Sequence, residues 1–152
     1  MSLNTDEIFY NALRTDTSIM RETKGEIHST CIEVPPMEKD KTPLPYIIIM
    51  FDGGANDAIT KDDFEGEEDN VTVSVEISAK SRKTLGRLAE MAREAIHRYL
   101  CNIDESAPDF SLRPDDYQIS FSPVSWDWTK PCYFQTLTYQ CSTKNKVHQN
   151  AQ

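Results

Sequence analysis

The chain reads as an α+β domain in which a mixed or antiparallel sheet of about five strands packs on two helices, in the order α-β-β-β-α-β-β. Three observations predict this. Val71, Val73, Val75, Ile77 and Ala79 alternate with polar residues, the two-residue period of a strand with one buried face. Leu85, Leu88, Ala89, Ala92, Ile96, Tyr99 and Leu100 fall on one side of a 3.6-residue period, the mark of an amphipathic helix. A length of 152 residues, with 38% hydrophobic and 27% charged side chains, suits one core and is too apolar for disorder throughout.

The first helix opens near residue 4. Asn4 is a good N-cap, with Glu7 three residues on and Leu3 and Ile8 placed as a hydrophobic staple. Ile8, Phe9, Ala12 and Leu13 make its apolar stripe, and a polar stretch containing Gly25 follows. Residues 26–34 read as a strand that Pro35 and Pro36 end, since proline lacks the ladder donor. A charged connection over 37–45 leads to Tyr46–Phe51, an unbroken apolar run with the composition of a strand buried on both faces. Residues 52–69 read as a mobile acidic loop, and 70–80 as the alternating strand. The second helix covers roughly 82–100, with Lys83, Arg87, Glu90, Glu94 and Arg98 on its polar side. Tyr117, Ile119 and Phe121 mark a fourth strand stopped by Pro123; Trp126 to Pro131 make a turn; Tyr133, Leu137, Tyr139 and Cys141 mark a fifth strand. The last two strands look like a hairpin. The domain is expected to span 1–143, with 144–152 a frayed polar tail.

The charge is −9 overall and uneven. Residues 52–69 hold eight acidic side chains and one lysine, a net −7, whereas 70–100 hold three acidic and six basic, a net +3. That pattern disfavours specific nucleic-acid binding and would let the acidic segment of one copy attract the basic helix of another. No apolar run approaches a membrane span and no secretory signal is visible, so a cytosol-made, soluble protein with no membrane partner is expected. Cys31, Cys101, Cys132 and Cys141 match no zinc spacing and read as reduced structural thiols.

Two helices cover one side of a five-stranded sheet, yet the strand from Tyr46 offers bulky groups to both sides. Leaving about three of them in water would forfeit roughly 1.5–3 kcal/mol each. The cover is the 52–69 segment, the 37–45 connection, or another subunit, and the opposed charges tilt the expectation toward self-association. The interaction residues this suggests are Tyr46, Ile48 and Met50 on the strand, Asp62, Asp63, Glu65, Glu67 and Glu68 in the acidic segment, and Lys83, Arg87 and Arg98 on the helix.

Phosphate-cradling glycine motifs, a zinc H-E-x-x-H and a nucleophile elbow are all missing from the sequence. His28, His97 and His148 lie in separate segments. The acidic tract fails the calcium-loop pattern, because counting back five from Gly66 puts Lys61 where the first ligand belongs. Trp126 and Trp128 either stack on a ligand or cap an open end of the core. No catalytic residue, metal or cofactor is assigned. A small hydrolase or ligand-binding enzyme near the tryptophans and histidines, and a regulatory binding module using the Tyr46 strand, are the alternatives.

The segment Pro43-Leu44-Pro45-Tyr46-Ile47-Ile48-Ile49, and Val71 to Ala79 followed by the helix with Leu85, Leu88 and Ala92, resemble the prophage-encoded tail-completion and tail-terminator proteins of the phage head–tail junction. The similarity spans about residues 5–141. It implies a structural role with no catalytic constellation: subunits form a ring, commonly hexameric, that stops tail-tube growth and docks the tail tube and the head connector. Residues 52–69 would reach a neighbour or the lumen, where an acidic lining suits a channel that DNA must traverse without sticking. The expected locations are the bacterial host cytoplasm during assembly and the virion.

Overall fold

Phe9, Leu13, Leu85, Leu88 and Ile96 are wholly buried between two helices and one side of a sheet, and this apolar layer organises the molecule. The computed structural model describes residues 5–30, 32–33, 35–61, 64–102 and 116–146. Among these residues it is α+β, with three α-helices and a mixed six-stranded sheet: α1 (Thr5–Arg14), α2 (Thr17–Thr23), β1 (Ile27–Ser29), β2 (Tyr46–Lys61), β3 (Phe64–Ala79), α3 (Arg82–Cys101), β4 (Asp116–Phe121), β5 (Ser125–Asp127) and β6 (Cys132–Lys146). The sheet order is β1-β2-β3-β6-β4, with β5 also on β6. β1 and β2 are parallel and every other pairing is antiparallel.

The predicted periodicities place the core. α3 buries Leu85, Leu88, Ala89, Ala92, Ala95, Ile96 and Leu100, and α1 buries Ile8, Phe9, Ala12 and Leu13. Facing them are Ile47 and Ile49 of β2, Val71 to Ala79 of β3 and Leu137, Tyr139 and Cys141 of β6. Phe9 meets Tyr139 edge-on with ring centres 4.9 Å apart. Ser81 caps α3 by accepting from the Thr84 amide at 3.2 Å. The Asn4 cap and the Leu3 staple expected for α1 lie outside the described residues.

The structure corrects the sequence reading in four places. Residues 17–23, expected within a polar stretch, form α2: Asp16 caps it by accepting from Ile19 N at 3.0 Å, and Lys24 ends it in a left-handed conformation. Ile19 and Met20 are its only large apolar residues, too few to show a period. β1 stops at Ser29, because a turn carries Glu33 N back to Ser29 O. The segment 52–69 is strand up to Lys61 and again from Phe64, where a loop was expected. Finally, β6 continues through residues 144–146, where a frayed tail was expected. In the last two cases the ladder itself carries the structure: β3 is paired on both sides, to β2 and to β6, as far as Gly66. Ladder pairing satisfies the backbone whatever the side chains are, so no apolar alternation announces it.

Candidate interaction surface

The second face of the sheet decides how the Tyr46 strand is used. Tyr46 and Ile48 are each only 2% exposed, and the chain that covers them is its own. Across the sheet, His28, Ile48 and Glu76 stand in one row by register. His28 holds Glu33 through Nδ1 at 2.9 Å and Glu26 through Nε2 at 2.7 Å. Glu76 accepts from Lys39 Nζ at 3.1 Å. Residues 33 and 39 of the connection are therefore pinned on either side of Ile48. Beyond them, Lys130 donates to the Lys39 and Thr42 carbonyls and lies 4.8 Å from the centre of the Tyr46 ring. Burial tends to lower the Lys39 ammonium pKa, but its hydrogen bond and attraction to Glu76 prevail and leave it raised. Burial raises the Tyr46 phenol, against a hydrogen bond with Ser78 that lowers it.

This arrangement corrects the expectation that another copy hides Tyr46 and Ile48. Glu33 and Lys39 of the connection, with Lys130, lie over this part of the sheet, and only Met50 of that trio stays half-exposed. A binding module built on this strand loses its surface for the same reason. Two of the three basic interaction residues are also engaged within the chain: Arg87 pairs with Glu22, and Arg98 reaches Asp16 at 2.8 Å. They tie α3 to α2 and its cap. Lys83 is exposed and makes no ion pair among the described residues.

What projects instead is a three-stranded ribbon. The core's apolar rows on β3 and β6 end at Val71 and Cys141. Past them, β2 runs on from Ala55 to Lys61, β3 pairs beside it from Phe64, and β6 follows to Lys146. At ~3.4 Å per residue, the β2 arm reaches roughly 24 Å beyond the core. Glu65, Glu67 and Glu68 sit on its middle strand, and Asp62 and Asp63, between the two arms, lie outside the described residues.

The ribbon has two open edges. β1 pairs with β2 only up to Ile49, so from Met50 onward the outer side of β2 has no ladder partner among the described residues. β4 begins opposite Ser142, so from residue 143 the outer side of β6 likewise has no ladder partner among the described residues. The two open strands differ in charge: residues 55–61 of β2 carry Asp57 and Lys61 and are neutral overall, whereas residues 143–146 of β6 carry Lys144 and Lys146. The acidic side chains Glu65, Glu67, Glu68 and Asp69 belong to β3, between them.

The bulge at Asp52 sets the ribbon's root. Phe51 pairs with Val73 but Gly53 with Thr72, so Asp52 is the extra residue, and its carboxylate accepts from the Ser74 hydroxyl. Gly53 takes φ +101°, and Gly54 presses against Asn70 and Val71. Gly53 and Gly54 are the residue type that such a kink and close strand approach allow.

A smaller exposed feature lies where β4 gives way to β5. Trp128 is 86% exposed, Phe121 64% and Trp126 36%. Trp126 packs edge-on to Tyr133 at 4.8 Å, with Trp128 outside it at 6.1 Å. Trp126 belongs to β5, not to the turn expected there. The turn is closed by Asp127, which accepts from the Thr129 hydroxyl at 2.7 Å and the Thr129 amide at 2.9 Å, bonds that hold its carboxyl below the usual range.

No family model matches the chain, and no curated protein does. Among solved structures the chain is similar to a chain of one titled "Virion of native gene transfer agent (GTA) particle". The identity is 14%, the alignment covers 92% of this chain and 94% of that chain, and the TM-score is 0.49. A likeness that distant carries no partner or role across. Among the described residues, no helix is long and apolar enough to cross a membrane.

Proposed function

We propose that this protein is a structural assembly subunit without enzymatic activity, of the phage tail-completion or tail-terminator kind that its sequence resembles. The observation that carries the reading is the projecting ribbon, whose outer strands have no ladder partner among the described residues, a neutral one on β2 and a basic one on β6. An unpaired edge strand is a template for pairing with another chain. In this reading the outer edge of β2 in one copy adds to the outer edge of β6 in the next. Such a contact is head-to-tail and closes into a ring, such as a hexamer, when the rotation between copies permits. Lys144 and Lys146 oppose like-to-like pairing of two β6 edges and favour the β2 edge, which is neutral and lies beside the acidic β3 strand. The rim of the ring then docks the tail tube and the head connector, and the protein resides in the host cytoplasm during assembly and in the virion afterwards.

The test is solution mass over a range of concentrations, paired with negative-stain images. Wild type is expected to form rings with a central pore. Replacing residues 55–68 by a short turn is expected to leave helix content and cooperative melting intact while removing the rings. The double variant Lys144→Glu, Lys146→Glu is expected to weaken assembly, because the β6 edge is then acidic and is repelled by the carboxylates of β3 beside the β2 edge. A wild-type chain that stays monomeric at high concentration, or rings that survive loss of the ribbon, would refute the proposal.

A further inference from the structure

At the C-terminal end of α3, two soft donors face each other across one helical turn. Cys101 Sγ lies 3.7 Å from His97 Nε2, and both residues are exposed. The spacing i, i+4 puts them on one helix face. The other ring nitrogen, His97 Nδ1, is 2.6 Å from Tyr117 Oη on β4, and the two rings meet edge-on. When Nδ1–H donates to the phenol oxygen, the free lone pair of the imidazole is on Nε2, the nitrogen beside the thiol.

That geometry matches the bite of a tetrahedral metal. A zinc ion with Zn–S of about 2.3 Å and Zn–N of about 2.05 Å at a tetrahedral angle holds its sulfur and nitrogen about 3.6 Å apart. The donors therefore need almost no movement to close on an ion. The ring is already oriented by its second nitrogen, as in metal-bound histidines whose partner fixes the tautomer. The location favours a cation as well, since the end of a 20-residue helix carries the negative pole of its dipole. The nearby Arg98 guanidinium is turned to Asp16.

We propose that His97 and Cys101 form a two-residue chelate for a thiophilic divalent cation of the zinc class, with Tyr117 as the positioning residue. On binding, the Cys101 S–H bond breaks, its proton passes to solvent, and the sulfur's electron pair forms the metal bond. Water fills the two remaining positions of the tetrahedron in the isolated chain. The site uses neither the ribbon nor its edges, so it stands apart from the assembly proposal.

The experiment is a titration of the reduced full-length protein with Co(II), followed by absorption. One equivalent is expected to produce a thiolate-to-cobalt charge-transfer band with the visible bands of tetrahedral cobalt, and Zn(II) is expected to abolish both. Cys101→Ser should remove the charge-transfer band. His97→Gln should weaken binding, and Tyr117→Phe should weaken it about tenfold while leaving the band in place. Melting of each metal-free variant checks that the fold persists. Absence of the band in wild type, its persistence in Cys101→Ser, or wild-type affinity in Tyr117→Phe would each overturn the proposal. The first outcome would leave a plain S–H to imidazole hydrogen bond at this position.

Discussion

Adding a single methyl group at the root of the ribbon tests how the ribbon is built. In Gly54→Ala the new Cβ would overlap the Asn70 carbonyl oxygen and lie 2.8 Å from Val71 Cγ1 and 2.9 Å from Val71 Cα. The Asn70 oxygen and the Val71 Cα are backbone atoms, so no rotamer change relieves the clash; β2 and β3 have to part. Overpacking of this kind costs about 1–3 kcal/mol. The ribbon carries none of the apolar rows that hold the core, so the strain is relieved by opening it and melting of the core changes little. An opening made easier by about 2 kcal/mol corresponds to a roughly thirtyfold rise in the population of the open form. Amide hydrogen exchange reads this directly: the amides of residues 55–61 and 64–70 should exchange roughly thirtyfold faster, while those of Val73, Val75 and Leu137 are unchanged. Gly53→Ala serves as a comparison, since nothing lies within 4 Å of its added carbon but its φ of +101° suits glycine. Exchange in Gly54→Ala equal to wild type would mean that the strands do not approach as described, and the reasoning would fail. If assembly needs the ribbon, Gly54→Ala should also lower the ring fraction without loss of the fold.

Phe9→Ala removes a fully buried ring packed on Tyr139 and should cost about 3–5 kcal/mol in urea denaturation. Asp16→Ala should destabilise by about 1 kcal/mol through the lost cap of α2. Arg98→Ala loses only an exposed ion pair and should cost less than about 1 kcal/mol, so equal losses in the two variants would contradict the capping role. Cys101 should react with a thiol reagent in the native state, while Cys132 and Cys141 stay protected until unfolding, as mass spectrometry of the labelled chain can show. Burial pushes the Cys141 thiol up to about 12 from 9.0. Above pH 9 the unfolded chain has released a proton that the folded chain retains, so this group's stabilisation is complete below about pH 9 and is lost as pH rises toward 12. The slope is about 1.4 kcal/mol per pH unit, and Cys141→Ala should flatten the alkaline decline by that amount.

Wherever burial imposes a period, the sequence was legible. The α3 stripe predicted its helix to within a residue of its observed bounds, and the β3 alternation predicted the core half of that strand and its end, though not its start at Phe64, because a side chain that must reach the core recurs every 2 or 3.6 residues. α2 was hidden because seven residues with two large apolar side chains show no period. The candidate surface was legible only in part. Its acidic composition stood out, but its strand character did not, because a ladder is set by backbone pairing with residues distant in sequence. Likewise, nothing local tells that residues 33 and 39 return to His28 and Glu76, or that Tyr117 meets a histidine 20 residues earlier.

By itself, then, the sequence determined the α+β class, the identity of the buried stripes and the lopsided charge, since each depends on residue type and spacing alone. Only the tertiary structure decided which groups remain free. It sealed Tyr46 and Ile48 within the chain itself, committed Arg87 and Arg98 to α2 and its cap, and left the outer sides of the ribbon without a ladder partner among the described residues. The physical reason is that exposure belongs to an assembled surface: whether a greasy or charged side chain needs a partner depends on what the rest of the fold has already placed against it.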